Sequence, residues 1–124
     1  MSIIEIDAHV EPTTLKAYSK NEAILKVNFK NADGERHLWC ESEVHVENPL
    51  SLAPDRNLQA GKTRIGILHP KSSIEKQVRV YTLPNNFPDD YKYNIITYVY
   101  DEEGAIVERV EYSNTVKCVD GKDI

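Results

Sequence analysis

The chain has 124 residues, with 15 Lys and Arg against 20 Asp and Glu and a formal net charge of −5. That length suits one domain with one core, here residues 1–124 with a frayed tail from about 120. The basic residues are scattered, which excludes the phosphate-neutralising stripe of a DNA- or RNA-binding surface. Hydrophobic residues make up 40% of the chain, and the prominence of Val, Ile, Tyr and Thr favours strands over helices and disorder.

Ile4, Ile6, Ala8 and Val10 alternate with Glu5, Asp7, His9 and Glu11. This is the period of two of a half-buried strand, and Pro12 ends it. Ala23, Leu25, Val27 and Phe29 alternate with Lys26, Asn28 and Lys30, which predicts a strand over Glu22 to Asn31 and a turn at Asn31-Ala32-Asp33-Gly34. A third strand runs from about His37 to Val46, with Leu38, Cys40, Val44 and Val46 on one face and Trp39, Glu41, Glu43 and His45 on the other. Asn48-Pro49 stops it.

Residues 48 to 61 are rich in turn formers and hold Leu50, Leu52 and Leu58 at no clear period. They read as a long loop with room for a helical turn, its leucines capping the open end of the fold. Lys62 to Leu68 is a short strand, His69-Pro70-Lys71-Ser72 a turn, and Ile74, Val78 and Val80 mark the next strand. Tyr91 to Tyr100 and Ala105 to Tyr112 form a hairpin around Asp101-Glu102-Glu103-Gly104, with Gly104 where a positive φ is expected. A final short strand covers Val116 to Val119. Seven or eight antiparallel strands without a helical period predict an all-β, immunoglobulin-like β-sandwich.

Asp89 stands four residues before Tyr93 at the entry to a long late strand. The pair resembles the tyrosine corner of immunoglobulin and fibronectin type III sandwiches, in which a phenol bonds back to the chain. More broadly, residues 22–31, 68–72, 93–100, 101–104 and 111–114 resemble, in strand order and turn chemistry, the bacterial and archaeal cell-adhesion-related (CARDB) and NEW3-like domains. That resemblance implies a non-enzymatic spacer or contact module, often in exported proteins. Antibody domains match less well, because Cys40 sits beside Trp39 on the third strand rather than on the second.

If Tyr93 points inward, so do Ile95, Thr97 and Val99, and alternation sends Ile96, Tyr98 and Tyr100 outward. Val107 is expected beside Tyr98 across the hairpin, and Trp39 joins the same face with Glu41 and Glu43 near it. Trp39, Ile96, Tyr98, Tyr100 and Val107 then make an aromatic patch edged with acids, the composition of an interaction surface. The expected partner is a protein or a second copy, a homodimer being the commonest closed assembly. Carbohydrate binding is the alternative use of such a face, since flat rings stack on sugars.

His37, Cys40 and His45 suggest a metal site by residue type, yet on one regular strand the histidines lie opposite Cys40 and roughly 26 Å apart. His9 and His69 join such a set only by accident of fold. Cupredoxin-like and superoxide-reductase-like patterns fail at Cys118-Val119-Asp120-Gly121 and at the single Met1. No nucleophile elbow is present, and Asp89-Asp90 and Asp101-Glu102-Glu103 read as solvated turn acids. Neither catalysis nor a cofactor is expected, a small metal or redox β-sandwich protein being the lesser alternative to the interaction and carbohydrate readings. Cys40 and Cys118 are too few and too far from any Cys-x-x-Cys pattern to form a disulfide framework, and read as free thiols. The acids of Met1 to Asp7 do not fit an export signal. The expectation is therefore a cytoplasmic protein if Met1 is the native start, otherwise a trimmed exported domain, and no membrane insertion.

Overall fold

The structure, a computed structural model, describes residues 3–120. Eight strands run in chain order: β1 (Ile4–Glu11), β2 (Thr14–Lys16), β3 (Asn21–Asn31), β4 (Leu38–Val46), β5 (Ala60–Leu68), β6 (Ser73–Thr82), β7 (Asp89–Tyr100) and β8 (Ile106–Val119). They form a three-stranded sheet, β1-β3-β6, and a five-stranded sheet, β2-β8-β7-β4-β5. This is an all-β, immunoglobulin-type sandwich.

Alternation explains which side chains fill it. Leu25, Val27 and Phe29 of β3 meet Leu38, Cys40 and Val44 of β4 and Ile95 and Val99 of β7 in one buried cluster. Inside it the Ser42 hydroxyl bonds the Ile96 carbonyl and lies 3.3 Å from Thr97 Oγ1, so the two polar groups on inward positions satisfy one another. The outer face of the small sheet is polar, with Glu5 opposite Lys30, His9 opposite Lys26 and Lys26 paired to Glu11 at 2.9 Å. Both cysteines are free and buried.

Several expectations need correction. The strands are not all antiparallel, because the three residues of β2, too short to show a period, pair parallel to β8. Ala105 to Tyr112 and Val116 to Val119 are not two strands. Ser113, Asn114 and Thr115 stay paired to Asn94, Tyr93 and Lys92, so β8 runs unbroken from Ile106. The long loop holds no helical turn. Instead Ser51 forms a bridge with Tyr81, and its hydroxyl lies within hydrogen-bonding distance of the carbonyls of Ala53, Arg56 and Leu58. Leu50 is fully buried and Leu52 packs on the core, as the capping role requires, but Leu58 takes no part in that cluster. Gly104 takes a φ of 84°. The tail expected to fray from about 120 lies, beyond Asp120, outside the described residues, as do Met1 and Ser2.

Candidate functional site

Along β7 the inward residues are Tyr91, Tyr93, Ile95, Thr97 and Val99, all buried, and the outward ones include Ile96, Tyr98 and Tyr100. β4 lies beside β7 and places Trp39 opposite Tyr100, Glu41 opposite Tyr98 and Glu43 opposite Ile96. The alternation read from the sequence is therefore the alternation of the fold on both strands.

The flanking strands extend these pairs into three rows. On β5, Ile67 stands opposite Trp39, Arg64 opposite Glu41 and Lys62 opposite Glu43. On β8, Ile106 stands opposite Tyr100, Arg109 opposite Tyr98 and Glu111 opposite Ile96. The first row, Ile67-Trp39-Tyr100-Ile106, is apolar and open: Ile67 is 49% exposed, Trp39 39% and Ile106 65%. Below it run Arg64-Glu41-Tyr98-Arg109 and Lys62-Glu43-Ile96-Glu111. Tyr98, Tyr100, Ile106, Glu41 and Arg64 line a shallow groove of about 570 Å³ over this face.

The charges on the face differ in how they are held. His45 lies 3.2 Å from Glu43, and Arg109 lies 3.4 Å from Glu111. The Tyr98 hydroxyl and, after it, Glu111 push the Arg109 guanidinium pKa above its ordinary value. Glu41, Lys62 and Arg64 make no ion pair among the described residues. They point charge at solvent beside an apolar row.

Two sequence assignments change. Val107 does not stand beside Tyr98; the β7–β8 register shifts between Val99 and Tyr100, Arg109 takes the place opposite Tyr98, and Val107 is the extra residue of the bulge. The tyrosine corner belongs to Tyr91, whose hydroxyl donates to the Phe87 carbonyl and accepts from the Phe87 amide. Tyr93 is instead a core residue, its phenol pushed up to about 12 by burial and by neighbouring Tyr112 and Asp7. Asp89 accepts from the Asp90 amide and does not engage Tyr93.

The sequence reading missed Ile67 and Ile106. Strict alternation from Lys62 and Arg64 would turn Ile67 inward, but the register shift facing Gly66 (φ 94°) changes the phase. The glycine was the available signal. His37, Cys40 and His45 do not converge, since Cys40 is in the core with its thiol raised to about 11 by burial and His45 is beside Glu43. Among the described residues no group of three or more His, Cys, Asp or Glu has metal-holding geometry, and no helix is long and apolar enough to cross a membrane.

No family model and no curated protein matches the chain in sequence. Solved structures do match it in shape. The CARDB domain of the PF1109 protein from Pyrococcus furiosus, solved in complex with di-metal ions, is 18% identical with a TM-score of 0.54, over 96% of this chain and 91% of that one. BcpA, the major pilin subunit of Bacillus cereus, is 8% identical with a TM-score of 0.63, and the match spans 94% of this chain but 40% of the pilin. The β-glucosidase EmGH1 from Erythrobacter marinus matches at 11% identity and a TM-score of 0.52, over 94% of this chain and 15% of the enzyme. At these identities the likeness is one of fold, and the fold this chain shares with that CARDB domain is an all-β, immunoglobulin-type sandwich.

Proposed function

We propose that the chain is a non-enzymatic interaction or structural module that pairs with a second copy of itself through the outer face of its five-stranded sheet. The observation that carries this reading is the near-palindrome of the open apolar row: aliphatic Ile67, aromatic Trp39, aromatic Tyr100, aliphatic Ile106. A two-fold axis parallel to the strands and midway between β4 and β7 lays Trp39 on Tyr100 of the second copy, and Ile67 on its Ile106. Each contact occurs twice, residue i on j and j on i, as an isologous interface requires, and aromatic meets aromatic and aliphatic meets aliphatic.

The same operation brings Lys62 against Glu111 and Glu41 against Tyr98, a cation on an anion and a carboxylate on a phenol. It also brings Arg64 toward Arg109, each with a carboxylate neighbour, Glu41 or Glu111. Each apolar side chain that becomes fully buried supplies about 1.5 to 3 kcal/mol before ordering costs. CARDB and pilin neighbours in the same fold are consistent with a structural module.

Light scattering over a dilution series tests the reading on wild type and Tyr98→Glu. The expected result is a wild-type dimer and a folded, monomeric variant, because the introduced carboxylate would face Glu41 of the second copy. A wild type that stays monomeric at the highest concentration rejects self-pairing. Quenching of fluorescence from Trp39, the single tryptophan, by oligosaccharides would then favour sugar stacking on the same groove.

A further inference from the structure

At the end of the sandwich beyond the apolar row, two histidines far apart in sequence meet. His37 precedes β4 and His69 follows β5, and their Nδ1 atoms are 3.0 Å apart with the rings nearly perpendicular. The remaining two histidines are each held by a carboxylate, His9 by Glu11 and His45 by Glu43. An Nδ1 to Nδ1 contact has one ring donating and the other accepting, so this pair shares a single proton between two lone-pair sites.

The backbone under both rings is fixed by one buried side chain. Asn31, fully buried at the end of β3, donates through Nδ2 to the carbonyl of Arg36 at 2.8 Å and to the carbonyl of Leu68 at 3.1 Å, the residues immediately before His37 and His69. The Ser72 hydroxyl holds the His69 carbonyl at 2.7 Å, and the Lys71 ammonium holds the Ala32 carbonyl at 2.9 Å. The two imidazoles therefore stand on a platform preorganised by a core residue.

The surroundings favour a cation. A cleft of about 300 Å³ beside His37 is lined by Glu35, Asp101, Glu102 and Glu103. The one arginine there, Arg36, is turned to Asp33 at 3.0 Å. Asp101 spends one oxygen on the amides of Glu103 and Ala105, while Glu35, Glu102 and Glu103 make no ion pair among the described residues.

We infer that His37 and His69 form a two-imidazole clamp for a divalent transition-metal ion, which binds both Nδ1 atoms from the side once the rings give up the hydrogen bond between them. With metal–nitrogen bonds of about 2.0–2.1 Å, the 3.0 Å separation closes a chelate angle of about 95°. That is a cis pair in a tetragonal or square-planar shell, the geometry of Cu²⁺ and Ni²⁺, and narrower than the tetrahedral angle Zn²⁺ prefers. On binding, the ring that carries the Nδ1 proton moves it to Nε2. The acidic cleft supplies a field that favours the cation, and water supplies the remaining ligands. The inference rests on these two rings and is independent of the dimer face.

Titration of the metal-free protein with Cu²⁺, read by calorimetry and by electron paramagnetic resonance, tests it. One equivalent is expected to bind with a two-nitrogen hyperfine pattern and to raise the unfolding temperature of the wild type. His37→Ala and His69→Ala should each lower affinity at least about tenfold and lose one nitrogen. Both rings are exposed, so circular dichroism should find the variants folded. The double variant His9→Ala/His45→Ala should bind as the wild type does. Absence of one-equivalent binding, or binding that survives both single substitutions, overturns the clamp.

Discussion

Tyr91, Tyr93 and Cys40 show how one strand pattern gives different chemistry to neighbouring side chains. All three are buried and burial disfavours their charged forms, but Tyr91 also bonds the Phe87 backbone. Tyr91→Phe should therefore destabilise the fold by about 1 kcal/mol in urea denaturation, and a change within error would mean that the corner bond is solvent-compensated. Cys40 has its pKa raised from 9.0 to about 11 and Tyr93 from 10.0 to about 12. Both hold their protons more tightly folded than unfolded. The stabilisation they give is complete below pH 9 and is lost as pH climbs from 9 toward 12. Urea midpoints should fall across that window, and Tyr93→Phe should flatten the upper part of the fall; an unchanged slope would show that Tyr93 does not drive it.

At the scale of elements, bulges decide the face. The β4–β5 register shift lies between Cys40 and Glu41, facing Gly66, and it is what turns Ile67 outward beside Trp39. A Cβ on Gly66 would meet nothing within 4 Å, so Gly66→Ala removes no contact. Its φ of 94° is nonetheless one that L side chains rarely adopt. The substitution should lower stability by about 1 to 2 kcal/mol, measured by thermal unfolding; a neutral result would mean that the strand re-registers without strain. The long connection between β4 and β5 is held by Leu50 in the core and Ser51 on Tyr81. Leu50→Ala should cost about 2 to 5 kcal/mol in urea denaturation, the loss expected of a core residue and far more than a surface-loop leucine would give.

On the whole molecule the two sheets present opposite characters to solvent. The small sheet carries paired charges, and the large one carries an open apolar row with Glu41, Lys62 and Arg64, outside any ion pair among the described residues, below it. If two copies meet about the proposed axis, Lys62→Glu and Glu111→Lys should each weaken the dimer, by repulsion between like charges. A mixture of the two variants should restore it as a heterodimer. Full-strength dimers of either variant alone, or no restoration on mixing, would reject that axis. Arg64→Ala should leave association unchanged or stronger, since it removes the one like-charge approach.

The sequence by itself determined the sandwich, the inward and outward faces of β4 and β7, the Asp101 to Gly104 turn and the burial of Cys40. Each of these is local, because side chains alternate along any strand and a glycine takes a positive φ without steric penalty. Tertiary structure decided the rest. Which tyrosine turns the corner depends on where Phe87 lies, and which residue stands beside Tyr100 depends on a bulge that shifts one strand against another. The meeting of His37 with His69 depends on the packing of β3, β4 and β5 around Asn31. Pairing register and long-range approach are set by the competition of whole strands for one core, and no window of sequence contains both sides of that competition.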